Sequence, residues 1–121
     1  MRDEEIIYTT GLTPGGLNLV GGIWTLWDQH GFPLEMSHLI CRDSGWHVDW
    51  IEAMADASLS NNLPALMKQV EAFLDTEMML AMKTGFIRAL NSGKNYEQIV
   101  ADKRANGVAL GKFIEEAKSR A

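Results

Sequence analysis

The stretch from Leu63 to Leu90, LPALMKQVEAFLDTEMMLAMKTGFIRAL, constrains the fold more than any other. Leu63, Leu66, Val70, Phe73, Leu80 and Ile87 follow steps of three and four residues, broken at Glu77 and Thr84. That spacing gathers apolar side chains on one side of a helix, and it predicts one long helix over these residues. Met78 to Met82, MMLAM, is apolar all round, so this part of the rod needs cover on several sides. Short neighbours in a chain of 121 residues do not supply that cover easily. Two readings of Met54, Met67, Met78, Met79 and Met82 therefore stand side by side. They fill gaps in a core, as flexible thioether side chains do. Alternatively, the rod forms a seam between copies of the chain, with Leu66, Val70, Phe73, Met78 and Met82 as the oligomer interface.

The remaining apolar pattern is punctuated by glycine and proline. A length of 121 residues suits one domain. The expected fold class is all-α, about six helices, with helical hairpins packed around the long one. Residues 1–13 read as an N-terminal arm, residues 14–58 as a tryptophan-rich three-helix part, residues 62–92 as the long helix and residues 93–121 as a basic helix pair. Thr13 and Pro14 form a plausible helix start, a capping hydroxyl before a residue with preset φ. A first helix is expected from Pro14 to His30. Five glycines between Gly11 and Gly22 leave residues 11–22 open to a loop instead. Gly21 and Gly22 are tolerable where another backbone packs close. Gly31 ends this helix and Pro33 begins a second, from Leu34 to Asp43. A third is expected after Gly45 up to Ser58, a fifth from Tyr96 to Arg104 and a sixth from Ala109 to Lys118. Helix, tight turn and helix thus occur twice, as a duplication or as two generic hairpins.

Charge is unevenly distributed. Residues 1–82 carry three bases and twelve acids, whereas residues 83–121 carry eight bases and four acids, giving the overall −5. The basic end suggests a polyanion or an acidic protein surface as partner, or head-to-tail self-association. Lys94, Lys103, Arg104, Lys112, Lys118 and Arg120 are the candidate nucleic-acid-binding residues, on a helix pair resembling a helix-turn-helix in outline. Solvated helix faces explain the same residues, and Glu115 and Glu116 dilute the charge. The single cysteine forms no internal disulfide, which fits a reducing, cytoplasmic setting. The first ten residues are acidic where a secretion signal would be basic. The apolar run Leu17 to Trp27 is shorter than the ~20 residues of a membrane span, so no membrane association is expected.

Candidate chemistry is sparse. His38 and Cys41 share a helix face, with Glu35, His47 and Asp49 near in sequence. A zinc site wants four ligands in paired spacings, and only one close pair exists here. A thiol with a neighbouring histidine is also the raw material of nucleophilic catalysis, but no glycine elbow or oxyanion donor accompanies it. Asp43 and Asp49 read as solvated charges at helix ends. No metal, cofactor or catalytic residue is expected. Trp24, Trp27, Trp46 and Trp50 lie in pairs at helical spacing, forming an aromatic core between the first and third helices or an exposed anchor for a partner.

Residues 26–49, LWDQHGFPLEMSHLICRDSGWHVD, resemble a helical segment of alanyl-tRNA synthetases. Trp27, Asp28, Gly31, Phe32, Pro33, Leu34, Gly45, Val48 and Asp49 carry the resemblance. The signatures of a class II synthetase core and of the editing domain are absent, so it implies a helix-joint geometry and no activity. In layout, a helix-turn-helix candidate followed by a long helix and a return resembles the small terminase subunits of tailed phages, which form rings and bind viral DNA. The expected function is a non-enzymatic, self-associating protein that binds nucleic acid or a nucleoprotein machine. The alternative is a protein-interaction adaptor, assembly chaperone or small virion component that binds no nucleic acid. A small enzyme or metal protein centred on His38, Cys41 and His47 is the third reading.

Overall fold

The structure is a computed structural model that describes residues 6–111 together with 113, 115 and 119. Among these residues the chain forms six helices and a small three-stranded sheet, so the fold is mainly helical rather than all-α.

The sheet occupies the segment where the first helix was expected to begin. Strand β1 (Tyr8–Leu12) runs antiparallel to β2 (Asn18–Gly21). Thr13 and Pro14 open a turn and not a helix: the Gly16 N–H donates to the Thr13 carbonyl at 2.9 Å and the Leu17 N–H to the Thr13 hydroxyl at 3.0 Å. Gly16 holds a left-handed φ of 85° within the five-residue hairpin loop, residues 13–17. Glycine destabilises a helix interior by about 1 kcal/mol each, and this glycine-rich segment favours the hairpin. The helix start moves to α1 (Ile23–His30). Gly31 caps α1 with a left-handed φ of 70°, and Pro33 leads into α2 (Leu34–Asp43), so HGFP is the expected joint.

Residues Trp46–Val48 form β3, which pairs parallel with β2, instead of the start of a third helix. A parallel pair needs a crossover, and α1 and α2 supply it. The third helix, α3 (Trp50–Leu59), starts at Asp49, whose carboxylate accepts the Glu52 N–H at 3.0 Å. A strand therefore stands between α2 and α3 where a tight helix-turn-helix joint was expected.

The long rod is two helices. Helix α4 (Leu63–Val70) ends at Glu71, and α5 (Thr76–Asn91) restarts at Asp75, whose side chain accepts the Met78 N–H at 2.8 Å. Both pack on α3. The bend keeps both apolar faces on that central helix, which a straight rod would not. Asp75→Ala is expected to cost about 1 kcal/mol of stability through loss of the cap, measured by urea denaturation. Helix α6 (Tyr96–Ala105) follows, begun by a reciprocal capping box between Asn95 and Gln98. Beyond it, residues 108–110 return to the outer edge of β1: the Thr9 N–H donates to the Val108 carbonyl at 2.9 Å and the Leu110 N–H to the Ile7 carbonyl at 2.8 Å. The expected start of the sixth helix at Ala109 is thus extended, and half of that span, residues 112, 114 and 116–118, lies outside the described residues, as do residues 1–5 of the expected arm.

The core centres on α3, with Ile7, Val20, Ile23, Trp24, Ile40, Val48, Trp50, Ala53, Leu66, Val70, Met82 and Phe86 buried around it. Among the described residues, no helix is long and apolar enough to cross a membrane.

Candidate functional site

A recess with mixed chemistry lies between the hairpin, the start of α3 and α5. It is a cleft of about 380 Å³, within the range of small ligand sites. Leu12, Pro14, Leu19, Ile51, Met78, Ala81 and Met82 give it apolar walls, and His47, Asp49 and Lys103 supply polar groups. Leu12 is 65% exposed, so the hairpin tip presents apolar surface to solvent at the mouth. Methionine thioethers adapt their shape to what they contact, and such side chains recur on surfaces that accept varied partners.

The polar groups are held firmly. Asp49 is buried at the N-terminus of α3, where a carboxylate is favoured by the free backbone amides. One oxygen accepts the Glu52 N–H. The other accepts the Thr10 hydroxyl at 2.6 Å and the Lys103 ammonium at 2.8 Å. The Lys103 side chain is 26% exposed, leaving part of it to the cleft. This bridge ties α6 to α3 and β1.

Next to Asp49, on the next turn of α3, lies a second, fully buried carboxylate. Glu52 accepts the Tyr8 hydroxyl at 2.5 Å and the Gly22 N–H at 3.1 Å. Burial and the neighbouring Asp56 push its pKa up to about 7. Tyr8 is held well above the ordinary tyrosine range by burial and by Glu52, so it stays a neutral donor. The Arg104 guanidinium lies 4.3 Å from the centre of the Tyr8 ring, a cation–π contact. Asp56, raised by burial, accepts the Thr25 hydroxyl at 2.7 Å. The network fastens β1, the β2–α1 junction, α3 and α6 to one another.

The residues singled out in the sequence fall in several places. Leu66, Val70 and Met82 are fully or almost fully buried within the chain, and Phe73 and Met78 pack half-buried against the core. Leu66, Val70 and Met82 are therefore taken up in packing between helices of one copy. Lys103 is bonded to Asp49, Arg104 lies over Tyr8, and Lys94 pairs with Asp102 at 3.2 Å. Lys112, Lys118 and Arg120 lie outside the described residues.

The histidine and cysteine pair does not assemble a reactive site. Cys41 is buried, and burial pushes its thiol up to about 12, so it stays protonated. His38 packs against the rings of Phe73 and Trp50, centroids 5.4 and 6.3 Å away. Burial, then His47 and Arg42, lower its pKa. Among the described residues no three His, Cys, Asp or Glu side chains are grouped to hold a metal ion. The tryptophans divide. Trp24 and Trp50 are buried, while Trp46 lies on β3 and stacks on Phe113, centroids 6.3 Å apart. Asp43 is exposed, as a solvated helix-end charge should be, but Asp49 is not.

Sequence reading missed Tyr8, Thr10, Glu52 and Asp56. One signal was available. Glu52 and Asp56 stand four apart in the otherwise apolar WIEAMADA. Like charges at that spacing destabilise an isolated helix, so their presence asks for partners elsewhere. Comparison with family models, with curated proteins and with solved structures finds no match for this chain.

Proposed function

We propose that this chain is a non-enzymatic protein-interaction adaptor that takes an apolar segment of a partner in the cleft between the hairpin and α5. The methionine- and leucine-lined wall carries this reading, with Lys103 and His47 placed to meet polar groups at its edge. The lining holds no cysteine or serine, and its lysine is bonded to a carboxylate. That favours binding over covalent chemistry. The alternative of a nucleic-acid-binding role draws little support from Lys94, Lys103 and Arg104, which already contact the chain's own Asp102, Asp49 and Tyr8.

The test is selection of displayed random peptides on the immobilised chain, followed by competition and the Leu12→Glu variant. Leu12 is largely exposed, so this substitution should leave the fold intact by circular dichroism. Enriched peptides should be rich in aliphatic and aromatic residues, compete with one another and lose at least ~10-fold in affinity on the variant, the value of about 1.4 kcal/mol. Enrichment of peptides indifferent to Leu12→Glu would remove the cleft from consideration. Strong binding to a nucleic-acid duplex that weakens steeply with salt would restore the polyanion reading.

A further inference from the structure

Helix α5 has a second face, turned away from the core. Glu77, Leu80, Ala81, Thr84, Ile87 and Arg88 are all exposed on it. Leu80 is 65% and Ile87 56% exposed, large values for aliphatic side chains seven residues apart on one helix. A shallow groove runs between Glu77 and Arg88 along this face. Among the described residues neither of these two charges has an ion-pair partner.

We infer that this face docks on the same face of a second copy, with the two α5 helices antiparallel about a two-fold axis. The charges choose the occupant. A two-fold interface must be self-complementary, so a residue meeting another must be met by it in return. If the axis passes midway between Ala81 and Thr84, Glu77 of each copy lies opposite Arg88 of the other. The same register sets Ala81 opposite Thr84 and brings Leu80 of each copy beside Ile87 of the other along one flank. Gly85 faces the core instead, since a Cβ there would meet Ile51. Other arrangements lose these matches. A parallel pair in register puts Glu77 against Glu77. An antiparallel pair centred on Thr84 puts Arg88 against Leu80 and Glu77 against Asn91. This face is distinct from the buried Leu66, Val70 and Met82, and the inference rests on its own exposed residues, although Ala81 also borders the cleft.

One helix pair covers less than the 1,200–2,000 Å² of a standard interface, so the dimer should be weak and concentration-dependent. Sedimentation velocity across a micromolar to millimolar series should show a reversible monomer–dimer equilibrium. Leu80→Glu should leave monomer throughout. Glu77→Arg and Arg88→Glu should each weaken the dimer at least ~10-fold, because each places like charges opposite one another. The double variant carrying both should recover most of the loss, since it exchanges the two signs and keeps the pairing. All these positions are exposed, and unchanged circular dichroism confirms folding. Monomer at every concentration for the unaltered chain would overturn the inference. So would a double variant no better than the singles, because that outcome denies the Glu77–Arg88 register.

Discussion

A chain carrying Gly22→Ala is expected to lose about 4 kcal/mol of stability, at the large end for a single methyl group. Gly22 has φ 91°, a conformation costing an L-residue about 1–2 kcal/mol. The larger part is steric. A Cβ on Gly22 would overlap the carbonyl of Ile6, and backbone yields less readily than a side chain. The N-terminal segment crosses there because Ile6 and Ile7 are core residues. Moving Gly22 to relieve the overlap would also stretch its hydrogen bond to Glu52, leaving a buried polar group underbonded. Gly16→Ala supplies the control. Gly16 has φ 85°, but a Cβ there meets nothing within 4 Å, so only the conformational cost of about 1–2 kcal/mol applies. Thermal and urea unfolding of both variants separate the two effects. Equal losses would show that crowding against Ile6 contributes nothing.

The same glycine shows how far the fold was legible. A close approach of another backbone was the stated condition for tolerating Gly21 and Gly22; Ile6 meets it at Gly22, whereas Gly21 is approached by the side chains of Thr10, Tyr8 and Glu52. What local pattern did not reveal was which residues make these approaches. The HGFP joint, the span of α2 and the start of α6 were legible because their signals are local: a left-handed glycine, a proline, an asparagine cap. The hairpin was misjudged because Thr-Pro opens a turn as well as a helix, and the choice depended on β3 arriving beside β2. Trp46, His47 and Val48 have no turn signal after them, so nothing local marked where strand gives way to helix except Asp49. The break in the long rod was marked by Asp75, an ordinary capping residue hidden within a good helical period.

The candidate site was less legible for the same physical reason. Met78 and Met82 were singled out as a seam between copies, whereas they line a cleft within one copy. Their periodicity states that one face is apolar and leaves open what covers it. Lys103 and Arg104 looked like a polyanion contact because charge was counted along the chain. The fold sets them against Asp49 and Tyr8, which are 54 and 96 positions earlier by number. Counting charge identifies cations but not the acids that fold against them. Asp49 read as a solvated helix end because capping and burial are separate properties. It caps α3 and is also buried under Thr10 and Lys103.

Glu52 yields the second large prediction, a dependence of stability on pH. Its carboxyl is raised from an ordinary 4.5 to about 7 by burial and by Asp56. Between those two values the folded chain holds a proton that the unfolded chain has released. Folding is therefore favoured below about pH 4.5, and this contribution is lost as pH rises through about 7. A shift of this size corresponds to about 3 kcal/mol at roughly 1.4 kcal/mol per unit. Asp56 acts in the same direction, while His38, lowered by burial, acts in the opposite one as pH falls. The whole-chain profile mixes these contributions, so the discriminating measurement is a difference. Glu52→Gln keeps the shape and the acceptor for Gly22 but cannot ionise. Relative to the unaltered chain, it should be neutral or mildly destabilised near pH 4.5 and improve steadily by about 3 kcal/mol on passing pH 7. Tyr8 remains a neutral donor across that window and does not blur the comparison. Urea denaturation of both chains at a series of pH values checks this. Parallel stability profiles would mean that Glu52 ionises inside the fold without cost, and that its burial beside Tyr8, Asp49 and Asp56 is not the electrostatic load the geometry implies.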